Sequence, residues 1–341
     1  MQENKIASFF IVMASIVIVL AGFKSASQII IPFLLSLFLA IILLPAFNYL
    51  NKKAIPESLS LVVVIGVFGV LVALVAKLIG SSIHDFNSNI NFYAQQLGTY
   101  YKSLANFALT FGVQISKDEI SAMINAKQIM SFATNILQNM GSMFSNGFVV
   151  LFSVIFMLLE SKHFAQKIVL IGKNSDAVAH VENITSQIKE YMFLKAIMSL
   201  LTGLVVWITL LVIGTDYAFL WALVAFMFNF IPNIGSIIAA VPAVLLTLVQ
   251  LGPLSALVVT VAYMVINIVI GSIIEPKVMG RGLGLSTLVV FVSLIFWGWL
   301  WGIVGMLLSI PLTIMVKIIL DDNEDTRWLS VLLGSGETKD K

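Results

Sequence analysis

Apolar runs long enough to cross a lipid bilayer recur along this chain, and they constrain its fold more than any other feature. Ile6 to Phe23, Ile29 to Leu50, Ser58 to Gly80, Gly141 to Leu159, Ala196 to Gly214 and Leu254 to Ile274 each approach the ~20 residues a helix needs to span the hydrocarbon core. Lipid offers the backbone no hydrogen-bond partner, so such runs must satisfy themselves as helices. Only 11% of the 341 residues are charged and 60% are hydrophobic, whereas soluble domains carry about 25% charge. The sequence therefore predicts an all-α polytopic membrane protein with about six full membrane helices.

Two further apolar stretches are too long for one span and are interrupted. Tyr217 to Gln250 is broken at Pro232-Asn233-Ile234-Gly235 and again at Pro242. Leu285 to Leu320 is broken around Gly298. Each is expected to form a broken helical hairpin. The remaining segments are amphipathic and polar. Phe92, Leu97, Leu104 and Phe107 alternate with polar residues, and Asp118 to Lys127 reads as a helix after a Ser116 N-cap. The expected organisation is three membrane helices in 1–80, a helical extramembrane domain in 81–140, and a fourth membrane helix with amphipathic helices in 141–195. A C-terminal membrane core with the two broken helices occupies 196–320, and a polar tail 321–341.

The N-terminus has some features of a cleavable signal peptide: Lys5, an apolar run from Ala7 to Ala21, then Ser25-Ala26-Ser27. Its basic region is weak and a second apolar run starts at Ile29, so it is expected to remain as a first membrane helix. Lys52-Lys53, the stretch from Lys162 to Lys195, and Lys277 with Arg281 are the basic segments expected in the cytoplasm. An N-terminus inside then leaves 81–140 and Asp216 outside. To return Lys277 to the inside, Tyr217 to Gln250 must enter and leave on the outer side. Leu285 to Leu320 either leaves on the inner side or crosses once as a long tilted helix. Two hairpins of opposite orientation are the arrangement of discontinuous helices in inverted repeats, whose sites lie near the midplane.

Function is sought where breaks and charges interrupt membrane-length runs, because they are tolerated only in protein or beside a wet cavity. The break FNFIPNIGS offers Asn229 and Asn233 as amides, Pro232 as a missing donor, and Gly235 and Ser236 at the start of the next half-helix. A plain proline kink with asparagines bonding neighbouring helices is the structural alternative. Glu275, in Glu275-Pro276-Lys277, could titrate and couple transport to protons or sodium. Otherwise it anchors an interfacial charge cluster with Lys277 or Arg281. Asn267 lies upstream on the same helix. Pro276, Gly280, Gly282, Gly284 and Gly298 are the hinge or turn candidates, although Gly298, Gly302 and Gly305 also suit close helix packing.

Some classes are disfavoured. A net charge of +2 gives no nucleic-acid footprint. The absence of cysteine excludes disulfides, thiolate metal sites and cysteine nucleophiles. The chain has no HExxH, Walker loop or Gly-x-Ser-x-Gly motif, so no metal, cofactor or ATP-driven step is expected. A secondary transporter accounts for the breaks and intramembrane amides. A membrane scaffold accounts only for the hydrophobic body, and an enzyme lacks any assembled catalytic set.

The stretches FNFIPNIGSIIAAVPAV and IEPKVMGRGLGLSTLVVFVSLIFWGWLWGIVGMLLSIPLTIMVKI resemble the AI-2E transporter family. The likeness extends over essentially the whole chain. It places Pro232, Asn233, Gly235, Glu275, Pro276, Gly280, Arg281, Gly282 and Gly284 on the family's motif positions. It implies a multi-pass protein of the bacterial inner membrane that exports the quorum-sensing signal autoinducer-2 or a similar small polar solute. It further implies a homo-oligomer, with a pentamer as the candidate. Proton or sodium coupling is expected from Glu275, and membrane lipid is an expected partner of so apolar a chain. Some relatives are sodium/proton antiporters instead.

Overall fold

In a computed structural model of the chain, every element among the described residues is a helix. The structure describes residues 2–53, 55–110, 134–135, 138, 147–171, 175–232, 234–279, 284–321 and 324–334. The amphipathic helix expected after Ser116 lies outside these residues.

The helices are α1 (Gln2–Ser25), α2 (Ser27–Lys52), α3 (Glu57–Thr110), α4 (Gly147–Ile171), α5 (Ser175–Ile213), α6 (Ala218–Phe228), α7 (Gly235–Leu251) and α8 (Pro253–Ile266). A π-helical stretch, Asn267–Ile274, continues α8 into α9 (Glu275–Met279). Then come α10 (Thr287–Leu307), α11 (Ser309–Asp321) and α12 (Arg327–Leu333). Six helical segments among the described residues are long and apolar enough to cross a membrane: Ala7–Ser25, Ser27–Lys52, Glu57–Phe86, Ser186–Ile213, Pro253–Val278 and Thr287–Leu307. The described apolar part of α4, Gly147–Ser161, is shorter, as are α6 and α7.

The chain divides into two compact units. One holds Met1–Ile65, Phe148–Leu194 and Met279–Lys341. Its buried cluster joins Ala40, Phe47 and Val64 to Val150, Val154 and Leu158. The Ser36 hydroxyl reaches the carbonyls of Pro32 and, across helices, Val150. In the same unit α1 packs on α2 and α10, where the Trp301 indole donates to the Phe23 carbonyl at 3.3 Å and the Lys24 ammonium sits 4.3 Å from the Trp299 ring centre.

The second overlong run folds back on itself within this unit. Its break falls at Trp301 and Gly302, not at Gly298: these two residues have non-helical backbone angles, and Gly302 has φ +63° and ψ −143°. A positive φ with extended ψ is open to glycine and strained for other residues. A Cβ on Gly305 would lie 1.9 Å from the Trp297 carbonyl oxygen, and one on Gly298 would meet Met306. Residues eight apart in a straight helix are ~12 Å apart, so the chain has doubled back. Lys317 on α11 donates to the Gly284 carbonyl beside the start of α10, which closes the hairpin at its open end. These contacts favour a hairpin over a single tilted crossing.

The other unit holds Gly66–Gly147 and Lys195–Val278. Here α7 packs against both α6 and α8. Phe86 stacks on Tyr93 and meets Tyr217 and Trp221 edge-on.

Candidate functional site

The first overlong run is also a hairpin, and the candidate site lies around its tip. The two ends of the run are tied together by side chains. Thr215 and Thr247 hydroxyls lie 3.0 Å apart, the Gln250 amide donates to the Gly214 carbonyl, and the Asp216 N–H donates to the Gln250 amide oxygen. Nearby, burial, reinforced by the Tyr217 hydroxyl and the Asp216 charge, pushes the Tyr93 phenol upward. It stays protonated and faces Asp216 Oδ2 at 3.3 Å. With 11 residues in α6, the descending arm is ~16 Å long, about half a bilayer core.

At the tip, α6 stops at Phe228 and α7 starts at Gly235. The Ile231 N–H bonds the Phe228 carbonyl at 2.8 Å and the Ile234 N–H bonds the Pro232 carbonyl at 2.6 Å. Pro232 itself lies in the turn, partly buried. A Cβ on Gly235 would sit 1.8 Å from the Phe228 carbonyl oxygen, so only glycine fits. This repeats the device at Gly305: in both hairpins a glycine closes on a carbonyl of the preceding arm and on the Cβ of the residue four before it.

The tip is anchored to α5. Asn229 is 5% exposed, and its amide donates to the fully buried Ser199 hydroxyl at 3.0 Å. Lys195, Ser199 and Thr202 form a buried polar stripe on α5, spaced to lie along one helix face. One turn from Ser199, the Lys195 ammonium donates to Glu275 Oε1. The two side chains are 5% and 16% exposed, so this ion pair is largely withdrawn from solvent. Glu275 follows directly on the π-helical stretch, an irregularity that recurs at functional sites. Asn267 opens that stretch, with its amide oxygen 3.1 Å from where a Cβ on Gly271 would be. One turn before Asn267, the buried Tyr263 hydroxyl has no hydrogen-bond partner among the described residues.

Of the residues expected from sequence, Asn229 and Glu275 therefore bond side chains one turn apart on α5, Ser199 and Lys195. The partner of Glu275 is Lys195 rather than Lys277, which is exposed. Gly235 closes the tip and the partly buried Ser236 follows it. Asn233, Gly280, Arg281 and Gly282 lie outside the described residues. Pro276 is exposed beside Glu275. Gly284 has φ +65° and accepts from Lys317 in the other unit, and Gly298 is helical and packs against Met306. Sequence reasoning missed Lys195, Ser199 and Tyr263. For Lys195 there was a signal: a lysine at the edge of an apolar run, four residues before a serine and seven before a threonine.

The sequence model of the AI-2E family transporter matches residues 11–324. The chain belongs to the AI-2E transporter family. It is 38% identical over 324 residues to the AI-2 transport protein TqsA of Escherichia coli K12, covering 95% of this chain and 94% of that protein. A putative transport protein of Haemophilus influenzae is 39% identical over 331 residues, with 95% of each chain covered. The putative transport protein YhhT of E. coli K12 is 32% identical over 330 residues, covering 96% of this chain and 95% of the relative. The family and these relatives are transporters, not enzymes. With six membrane-length helical segments among the described residues, this AI-2E family member is a multi-pass membrane protein.

Proposed function

We propose that this AI-2E family protein is a secondary transporter of the bacterial inner membrane that exports autoinducer-2 or a similarly small, polar solute as a homo-oligomer. The pentamer is the specific assembly to test. The observation that carries this reading is the buried Lys195–Glu275 pair, one helical turn along α5 from the Ser199–Asn229 contact at the tip of a half-membrane hairpin. Hydrogen-bonding groups withdrawn from water at a helix break are what a polar solute needs in place of its hydration. The TqsA relative is named as an AI-2 transport protein, which supports the choice of solute.

Within this reading, Glu275 is the coupling group. Proton uptake on the carboxylate, or sodium binding to it, releases the Lys195 ammonium and changes what holds α5 to the start of α9. The same pair favours a second reading, sodium/proton antiport, in which the cation is the cargo and no organic solute moves.

The experiment is uptake and efflux of labelled autoinducer-2 in proteoliposomes, with imposed proton and sodium gradients. Gradient-driven movement of the label supports export. A sodium flux that proceeds without the label, and is unaffected by it, selects antiport. Neither flux in well-reconstituted protein rejects both readings.

A further inference from the structure

A second feature, remote from the hairpin tip in sequence, lies in the unit built from α2, α4 and the start of α5. An open cavity of about 430 Å³ is walled on one side by a single stripe of α2 and on the other by Lys189 of α5. That volume is in the range of small-molecule sites. The α2 stripe changes character along its length. Ile41, Leu44 and Pro45 are apolar, Asn48 and Tyr49 follow one turn later, and Lys52 closes the helix. Pro45 has no N–H, so it cannot donate to the carbonyl of Ile41 one turn back, and both residues line the cavity.

We infer that this groove binds an anionic phospholipid. The order of the stripe matches the order of chemistry along such a lipid. Acyl carbons meet Ile41, Leu44 and Pro45. The ester and glycerol level meets an amide and a phenol, the groups that favour the interface. The phosphate meets two ammonium groups, Lys52 and Lys189. Both lysines stand at the ends of candidate spans, Ser27–Lys52 and Ser186–Ile213, which is the level of the headgroups. Lys53 adds a third positive charge there, stacked 4.7 Å from the Tyr49 ring centre. A basic pocket between membrane helices is the arrangement that captures anionic headgroups. A water-soluble phosphate would use the lysines and leave the apolar wall uncovered, so a lipid is the occupant that fits all of the lining.

The test uses full-length protein in nanodiscs of phosphatidylcholine with increasing phosphatidylglycerol, and native mass spectrometry to count lipids retained. Wild type should retain phosphatidylglycerol in preference to phosphatidylcholine. Each lysine near an anionic surface contributes about 1 kcal/mol, so Lys52→Gln or Lys189→Gln should weaken retention about fivefold and the pair about thirtyfold. Ile41→Trp, which fills the groove and alters no charge, should also displace the lipid. Size-exclusion profiles establish that each variant is folded. Equal retention of both lipids, an unchanged double variant, or displacement by glycerol phosphate at the same concentration as lipid would each overturn the inference.

Discussion

Removing either partner of the Lys195–Glu275 pair should be costly, and removing both should not. The side chains are 5% and 16% exposed, so neither charge can hydrate well once its partner is gone. Breaking such a pair costs about 3–5 kcal/mol, whereas an exposed pair contributes about 0–1 kcal/mol. Glu275→Leu strands the less exposed ammonium and should fall near the upper end of that range. Lys195→Met strands the carboxylate that retains some access to water and should fall near the lower end. The double variant Lys195→Met/Glu275→Leu replaces two charges by apolar groups of similar volume and should return to wild-type stability or exceed it. Thermal midpoints of purified protein, read by fluorescence size exclusion, give the cycle. Transport in proteoliposomes gives the second readout: the double variant should be stable and inactive. Single variants within about 1 kcal/mol of wild type would refute the burial argument. A stable double variant with normal gradient-driven transport would make the pair structural only.

Three further outcomes follow from the hairpins and from the orientation. Gly235→Ala and Gly305→Ala each place a methyl within 2 Å of a backbone oxygen and should cost at least the ~1–3 kcal/mol of overpacking; Gly69→Ala, where nothing lies within 4 Å, is the control and should leave the midpoint unchanged or slightly raised. Pro232→Ala should lower stability by only about 0.5–1 kcal/mol through the freer unfolded chain, because Pro232 lies in the turn and the folded-back tip prevents a continuous helix; a larger loss in the same thermal assay would show that its ring packs. Ser88→Cys, exposed on α3 in this cysteine-free chain, should react with an impermeant maleimide added to intact cells; reaction only in inverted vesicles would reverse the orientation.

The membrane class and both hairpins were legible because they rest on run length and on breakers. A stretch from Tyr217 to Gln250 is too long for one span, and keeping Lys277 on the inner side demands its return. The position of the second break was not legible. Gly298, Gly302 and Gly305 look alike in sequence, and only backbone angles distinguish the turn at Trp301 and Gly302 from the two glycines that pack. Glu275 was visible as a charge at the end of an apolar helix, but its partner was not. Lys195 closes a charged stretch, and hydropathy places the membrane boundary immediately after it. Helix α5 instead carries it into the span beginning at Ser186. The π-helical stretch at Asn267 leaves no mark in apolar periodicity, since it widens a helix whose other faces are also apolar.

The Lys195–Glu275 pair also sets a timetable for synthesis. Its members are 80 residues apart in the chain, so α5 is made with its lysine before Glu275 at the start of α9 has been made. At about 5–20 residues per second the interval is roughly 4–16 s. During that time an ammonium group that costs about 2.5–3.5 kcal/mol at a helix centre has no carboxylate to meet. The nascent α5 therefore carries an unpaired charge within its span until Glu275 arrives. The hairpin α6–α7 is made in that interval, so Asn229 is available to Ser199 before Glu275 can complete the ion pair.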